Sequence, residues 1–279
     1  MEISLLAMDL DGTALLDDRK TFSPRLYAAL DAAARRGVAI VPTTGRQYAM
    51  LPPAVHTGAD WEDLCVLCNG GEVRRLRTGE LLEAHYIETD TARQVMEIAA
   101  SLGLPVELSA GGRLYLTRES WNMQREHGED LRFHLNNILT TRGQEVPSLD
   151  AVLEQPDLAL DKVNLPYIPC GLRAEAERLL AGAPISFAWS SPQSVEVTHS
   201  LATKANGMLT ACRLLGADPA RTMAIGDSGN DIPMLKAAAL GVAMESAAQE
   251  VKDAADAVTA SNMEEGAAMA IERYILGGQ

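Results

Sequence analysis

Short runs of apolar residues, separated by longer segments of mixed character, form the first pattern visible along the chain. They occupy residues 3–7, 38–41, 64–67, 223–225 and 241–244. A continuous apolar run of this length is typical of a strand that is buried on both faces, as in a parallel sheet. We therefore predict buried strands at these positions.

The segments between these runs predict helices. Ser23 and Pro24 open an alanine-rich periodic segment that ends at Gly37, with an N-cap, a first-turn proline and a C-terminal glycine in the expected places. Further helices are expected over residues 201–215 and beyond the strand at 241–244. Alternation of strands and helices predicts an α/β fold with a doubly wound parallel sheet.

The middle of the chain has a different texture. Strands such as 113–117 alternate polar and apolar residues, which indicates a sheet with one less covered face. Further elements expected in or at the end of this region are helices over 89–102 and 171–181 and strands over 158–165, 185–189 and 195–197. Because short apolar runs like those of the N-terminal part follow this region, we predict a smaller α/β domain, residues 81–194, inserted into a core formed by 1–80 and 195–279.

Composition narrows the possible partners. The 279 residues include 24 Lys and Arg against 38 Asp and Glu, a net charge of −14, which would repel nucleic acid and anionic membranes. No apolar stretch approaches the ~18 residues of a membrane span, so a cytoplasmic protein without nucleic-acid or membrane partners is expected. Cys65 and Cys68 resemble a metal or redox pair, but we interpret them as buried apolar residues.

Two acidic sequences follow predicted strands. Asp9 and Asp11 come after the first run, and Asp227 and Asp231 come after the run at 223–225. Strand ends of an open α/β sheet share one edge, so these side chains are expected in one pocket. An isolated Asp-Gly sequence is also common in turns, but the second acidic strand end disfavours that interpretation. Four clustered carboxylates require a cation, and Mg²⁺ suits oxygen ligands.

These motifs carry a family resemblance. The sequences DLDGT at 9–13, TTGR at 43–46, Lys204 and GDSGND at 226–231 resemble, in order, the four motifs of the haloacid dehalogenase (HAD) superfamily. With NGG at 69–71, the chain is similar to the Cof-type phosphatases of that superfamily. The resemblance implies a HAD-like core and identifies the insertion with the α/β cap of that subgroup.

The resemblance also implies roles for particular residues. Asp9 would be the nucleophile that forms an aspartyl phosphate, and Asp11 the general acid and later the base. Thr44, Gly45 and Lys204 would bind the phosphoryl group. Arg46, together with Asn69 and Gly70, would contact substrate, although Arg46 could instead pair with a core carboxylate and Asn69 could be a turn residue. The implied Mg²⁺ ligands are Asp9, the Asp11 backbone carbonyl, Asp227, and Asp231 as an outer ligand or brace.

The sequence therefore predicts a Mg²⁺-dependent phosphatase for a small phosphorylated metabolite, with a sugar or polyol phosphate as the favoured substrate. A specialised sugar phosphate phosphatase or a phosphomutase is the alternative. A regulatory phosphoryl acceptor is disfavoured because Asp11 is present to drive turnover. Residues 245–247 read Glu-Ser-Ala where Cof-type chains have Gly-Asn-Ala, which predicts altered phosphate binding.

The sequence does not determine the oligomeric state or the side chains that select the substrate. Candidates for substrate selection in the insertion are Arg113, Tyr115, Arg118, Trp121, Arg125, Lys162 and Asn164.

Overall fold

A computed structural model describes residues 2–56, 64–129, 131–132 and 134–277. The chain divides into two compact units, one formed by Met1–Ala84 with Ala202–Gln279 and the other by His85–Leu201. The second unit is an insertion in the first. Its limits lie a few residues after those expected at 81 and 194. Residues 81–84 pair with a strand of the first unit, whereas residues 194–199 pair with strands of the second unit.

The strands of the described residues have the following bounds. In chain order they are β1 (Leu5–Met8), β2 (Ala39–Pro42), β3 (Leu64–Leu67), β4 (Glu72–Arg75), β5 (Leu81–Ala84), β6 (Glu107–Ala110), β7 (Arg113–Leu116), β8 (Gly143–Glu145), β9 (Leu160–Leu165), β10 (Ile185–Ser191), β11 (Ser194–His199), β12 (Thr222–Gly226), β13 (Leu240–Met244) and β14 (Ala257–Thr259).

The α-helices of the same residues are named in the same way. They are α1 (Pro24–Ala34), α2 (Pro53–His56), α3 (Thr89–Ser101), α4 (Arg118–Glu126), α5 (Thr140–Arg142), α6 (Leu149–Leu153), α7 (Arg173–Leu180), α8 (Lys204–Leu215), α9 (Ile232–Ala237), α10 (Gln249–Lys252) and α11 (Gly266–Tyr274). None of the helices in the described ranges is long and apolar enough to cross a membrane.

The first unit contains a parallel five-stranded sheet in the order β14-β13-β12-β1-β2. Leu6 and Met8 of β1 belong to the same apolar cluster as residues of α1 and α11, whereas Leu5 and Ala7 belong to a second cluster with residues of α8 and α9. Apolar layers therefore cover both faces, which explains why the strand sequences are continuously hydrophobic. The predicted doubly wound fold is confirmed.

The strand β3 departs from the simple pattern of alternation. It is joined to the parallel sheet by one parallel bridge between Thr43 and Val66, and it starts an antiparallel sheet in the order β3-β4-β5. The reason is a tight reversal after Leu67, where Cys68, Asn69 and Gly70 all have positive φ angles of 51°, 58° and 99°.

The helix α1 shows that local sequence signals hold in this fold. Ser23 lies at the N-cap, and its hydroxyl accepts a hydrogen bond of 3.0 Å from the Leu26 amide. Pro24 occupies the first helical position, where its missing amide hydrogen costs nothing. The helix ends near Gly37, which has a φ of +80°.

The second unit contains a six-stranded sheet in the order β10-β11-β9-β6-β7-β8. Its pairs are antiparallel except for β7 with β8, which are parallel. One apolar cluster lies between this sheet and α3, α6 and α7, and contains Leu108, Val163 and Val195. The unit thus has its own hydrophobic core.

Candidate functional site

The first two acidic residues are placed by the parallel sheet. Asp9 directly follows β1, and its amide donates to the Ile225 carbonyl of β12 over 3.0 Å. On the other side of β1, the Thr43 amide donates to the Met8 carbonyl over 2.8 Å. The carboxyl ends of β1, β2 and β12 therefore meet at one edge, as the sequence predicted, and the segments 9–13, 43–46 and 226–231 all begin there.

Lys204 joins two of the carboxylates at this edge. It is the first residue of α8 and is 1% exposed. Its Nζ donates to Asp9 Oδ1 and to Asp231 Oδ1, each over 2.6 Å. Burial lowers the pKa of Lys204, but Asp231 and Asp9 more than offset that effect, so the pKa is raised and the ammonium stays charged. A fixed positive charge thus lies beside Asp9.

Asp231 is held by contacts to both of its oxygens. While Oδ1 accepts from Lys204, Oδ2 accepts from the amides of Asp227 and Ser228 over 3.0 and 2.9 Å. The side chain is fully buried. With both oxygens engaged, Asp231 is suited to bracing Lys204 and the loop after β12.

Asp227 accepts hydrogen bonds from two hydroxyl groups and none from a charged donor among the described residues. The Thr13 hydroxyl donates to its Oδ1 over 2.8 Å, and the Ser228 hydroxyl donates to its Oδ2 over 3.1 Å. Gly12 lies against the same carboxylate with a φ of +82°, and a Cβ at this position would come within 2.5 Å of Asp227 Oδ2. The turn after β1 therefore requires glycine for both backbone conformation and space.

The electrostatics of these acids fit a cation. Burial, followed by the opposing Lys204 charge and repulsion from Asp231 and Asp227, leaves the pKa of Asp9 well above its ordinary value. Burial and then repulsion from Asp231 likewise raise the pKa of Asp227. One oxygen each from Asp9, Asp227 and Asp231 lies within 4.8 Å of the others. Hard oxygen donors with unbalanced charge form a set that could hold a divalent cation such as Mg²⁺.

Asp11 lies apart from this triad. Its Oδ2 accepts from Arg46 Nε over 2.7 Å and its Oδ1 from Arg46 Nη2 over 2.6 Å. Arg46 Nη1 also donates to the Met50 carbonyl over 3.1 Å. Of the two interpretations of Arg46, the structure displays pairing with a core carboxylate, and this pairing orients the proposed general acid.

The remaining core candidates lie in two neighbouring turns. Thr44 is 1% exposed, and its hydroxyl accepts from the Arg46 amide over 3.2 Å, so Thr44 and Gly45 form a compact turn after β2. Asn69 is also buried, with a φ of +58°, and its Oδ1 accepts from Asn230 Nδ2 over 3.0 Å. Gly70 follows it and lies against the backbone of Thr203.

Among the described residues, histidines and cysteines do not join the acidic triad in a metal-binding group. Cys65 and Cys68 are both buried in an apolar cluster of the first unit. This agrees with their interpretation as apolar residues.

Several candidates in the second unit have partners within that unit. Asn164 donates to Glu107, Lys162 pairs with Glu196, and Tyr115 packs against the apolar cluster. The other candidates form contacts nearer the surface. Arg113 donates a hydrogen bond to Gln144, Arg118 pairs with Glu145, and the Arg125 guanidinium lies over the ring of Trp121.

Sequence reasoning missed three residues that organise the core site. Thr13 and Ser228 hold Asp227, and Asn230 holds Asn69. All three lie within the two acidic motifs, 9–13 and 226–231, which was the available signal. Their contacts could not be inferred, because each partner depends on how distant strands pack.

The comparisons with known proteins agree with this architecture. A family model described as haloacid dehalogenase-like hydrolase matches residues 6–271. The chain belongs to this family. The resemblance inferred from the four motifs is thereby confirmed over nearly the whole chain.

The hydrolase is similar to several phosphatases. It is 27% identical to the 5-amino-6-(5-phospho-D-ribitylamino)uracil phosphatase YcsE of Bacillus subtilis, over 99% of this chain and 97% of that protein. It is also 27% identical to the pyridoxal phosphate phosphatase YbhA of Escherichia coli, over 99% and 100% of the two chains.

A solved structure of BT1666 from Bacteroides thetaiotaomicron, described among phosphatases of the same superfamily, matches with a TM-score of 0.83. The identity is 25%, and the match covers 98% of this chain and 95% of that one. The expected enzyme class, a HAD-type phosphatase, is confirmed.

Proposed function

We propose that this phosphatase hydrolyses a small phosphorylated metabolite in a Mg²⁺-dependent reaction, with Asp9 as the nucleophile. The observation that carries the proposal is the pair of 2.6 Å contacts from Lys204 Nζ to Asp9 and Asp231. They hold the Asp9 carboxylate at a strand end and place a positive charge next to it. That arrangement suits attack on a phosphoryl group, whose negative charge has to be balanced.

In the first step, an Asp9 oxygen forms a bond to phosphorus while the bond from phosphorus to the ester oxygen breaks. Asp11 supplies a proton to the departing oxygen. Both Asp11 oxygens contact Arg46, so at least one of these hydrogen bonds has to open during transfer. Thr44 and the Gly45 amide are proposed to hold the phosphoryl oxygens.

In the second step, Asp11 takes a proton from water, whose oxygen attacks phosphorus as the bond to Asp9 breaks. The products are inorganic phosphate, the free Asp9 carboxylate and the protonated Asp11 that can act as the acid of the next turnover. Asp9 and Asp227, with the Asp11 backbone carbonyl implied by the family, would hold Mg²⁺ while Asp231 braces the site. The ion would supply positive charge that reduces repulsion between carboxylate and phosphate.

For the substrate we propose a sugar or polyol phosphate first. YcsE, named for a substrate with a phosphorylated ribityl chain, supports this class. YbhA is named for pyridoxal phosphate, which makes that ester the second candidate. The specificity is proposed to come from the inserted unit, which acts as the cap.

A screen with purified full-length protein tests the proposal. It would compare sugar phosphates, ribitol 5-phosphate, pyridoxal phosphate and p-nitrophenyl phosphate, with Mg²⁺ or with EDTA, by measuring phosphate release. We expect Mg²⁺-dependent release with a polyol or sugar ester preferred. Release that persists after complete metal removal would contradict the metal requirement.

The same experiment separates the alternatives. A phosphomutase would return the phosphoryl group to substrate and yield an isomeric ester, which chromatography detects. A regulatory acceptor would accumulate a long-lived aspartyl phosphate with little release. The expected cytoplasmic location stays a prediction, which cell fractionation would test.

A further inference from the structure

Residues 68–70 connect three segments of the proposed catalytic site through separate contacts. The first contacts are to the loop after β2, where the Cys68 amide donates to the Arg46 carbonyl and the Asn69 amide to the Thr44 carbonyl, each over 3.1 Å. These hydrogen bonds fix the backbone of the proposed phosphate-binding turn.

A second contact reaches the loop after β12. Asn69 Oδ1 accepts from Asn230 Nδ2 over 3.0 Å, and Asn230 immediately precedes Asp231, one of the two carboxylates that hold Lys204. The amide pair therefore links residues 68–70 to the position of Asp231.

The third contact is with the beginning of α8. A Cβ at Gly70 would lie 2.0 Å from the Thr203 carbonyl oxygen, and a Cβ at Gly207 would lie 2.2 Å from Val66 Cγ1. Two glycines thus let the first turn of α8 pack directly on β3 and on the reversal after it. Thr203 immediately precedes Lys204, so this packing sets where the Lys204 side chain starts.

The backbone of this segment is unusual. Three consecutive residues have positive φ, and two of them, Cys68 and Asn69, are not glycine. For a residue other than glycine, such a conformation is unfavourable and persists only where surrounding contacts determine it. Here those contacts are with the segments that carry Thr44, Asp231 and Lys204.

We propose that Asn69 and Gly70 are positioning residues that fix Lys204 against Asp9, rather than groups that contact substrate. This inference rests on the proposed function only for its catalytic consequence. Its geometric content, that residues 68–70 set the 2.6 Å contact between Lys204 Nζ and Asp9, can be tested separately.

The kinetic test uses Gly70→Ala in the full-length protein. The added methyl group should push α8 away and displace Lys204. Since displacement of a catalytic group by about 1 Å costs up to about 100-fold in rate, we expect kcat to fall by about 10- to 100-fold while KM changes little. Substrate contact by Gly70 would instead change mainly KM.

Gly216→Ala is the matched control. Gly216 ends the same helix with a φ of +66°, but no atom lies within 4 Å of the position that an added methyl group would take, so the substitution strains the backbone without pushing the helix. Its kcat should equal that of the natural protein. An equal fall in both variants would show a general loss of stability and overturn the positioning role.

Three further variants keep the test decisive if Gly70→Ala does not fold. Asn69→Gly keeps the left-handed backbone accessible but deletes the amide contact to Asn230, and should lower kcat by a smaller factor. Gly207→Ala should impair kcat through its clash with Val66, and the double variant Val66→Ala/Gly207→Ala should recover part of it. Unchanged kcat in Asn69→Gly and no recovery in the double variant would overturn the proposal.

A crystal structure of Gly70→Ala, or of Gly207→Ala, provides a measurement that needs no substrate. We expect the distance from Lys204 Nζ to Asp9 Oδ1 to lengthen beyond hydrogen-bonding range. An unchanged contact overturns the inference even if the protein is a phosphatase. A lengthened contact supports it even if the phosphatase proposal fails.

Discussion

Each unit of the molecule contains a buried carboxyl group, Asp9 in the first and Glu107 in the second, and the pKa values of the two groups are shifted in opposite directions. Asp9 of the first unit lies near Asp227 and Asp231, with one lysine between. Glu107 of the second unit is fully buried in β6, where three side chains donate to it. Burial raises the pKa of both acids, but only for Asp9 does the increase prevail.

The difference lies in the partners of the two groups. Gln124 and His134 contact Glu107 Oε1 over 2.9 and 2.8 Å, and Asn164 donates to Oε2 over 2.8 Å. These contacts, with His134 first, bring the pKa of Glu107 below its ordinary value despite burial. Hydrogen-bond donors stabilise the ionised form of Glu107. The carboxylates around Asp9 repel one another, so their ionised forms need additional positive charge nearby. We infer a structural role for Glu107 and a catalytic, cation-assisted role for Asp9.

The substitution Asp9→Asn should produce the largest effect. It removes the proposed nucleophile, so phosphate release should fall on the order of 10⁴-fold or more, as for the loss of other enzymatic nucleophiles. Because ionised Asp9 is disfavoured in the fold, the variant should remain folded. Asp17→Asn, at an exposed position, is the control. Activity of the folded Asp9 variant near that of the control would remove the covalent mechanism.

Asp227→Asn should have the next largest effect. The substitution keeps the shape of the side chain but removes one charge from the proposed ligand set, so Mg²⁺ affinity should fall by about 10- to 100-fold. Isothermal titration with Mg²⁺ measures this without substrate. Glu107→Gln serves as the contrasting variant, and should bind Mg²⁺ with the natural affinity. Equal affinities in all three proteins would exclude Asp227 as a ligand.

Glu107→Gln should affect stability and not catalysis. A glutamine amide would turn one acceptor into a donor facing donors, at a cost of about 1–3 kcal/mol in unfolding free energy. Thermal unfolding followed by tryptophan fluorescence reports mainly on this unit, whose range contains Trp121 and Trp189, two of the three tryptophans of the chain. Glu126→Gln, at an exposed position, should leave the melting temperature unchanged. A kcat for p-nitrophenyl phosphate that dropped along with stability would contradict the structural role.

The smallest expected effect is on the pH dependence of stability without metal. The raised pKa values of Asp9 and Asp227 mean that the folded state binds more protons than the unfolded state above pH 3.8. Their contribution to stability is therefore lost as pH rises through the folded pKa values. Glu107 has the opposite sign, since its stabilising contribution is present above 4.5 and lost as pH falls through its lowered pKa.

Urea denaturation in EDTA at several pH values measures these slopes. In Asp9→Asn the loss of stability with rising pH should be smaller than in the natural protein. In Glu107→Gln the free energy of unfolding should fall less steeply at acid pH, whereas its decrease at higher pH should remain. A slope that is the same in Asp9→Asn and in the natural protein would show that Asp9 is not a source of it.

Elements with local signals were predictable from the sequence. The helix α1 carries Ser23 and Pro24 at its start, and the apolar runs at β1, β2 and β13 indicated buried strands of a parallel sheet. Acidic residues directly after β1 and β12 were also sufficient to place a site at the carboxyl edge. By contrast, α4 was not predicted, although Thr117 caps it through a hydrogen bond from the Ser120 amide.

What the sequence determined by itself was therefore the α/β fold and the placement of acidic residues at two strand ends, because each depends on short-range periodicity or on the position of a residue relative to a strand end. Tertiary structure decided the partners: Arg46 with Asp11, Asn69 with Asn230, and the three donors around Glu107. These contacts join residues far apart in sequence. Their geometry depends on how strands and helices pack, and no local pattern encodes that packing.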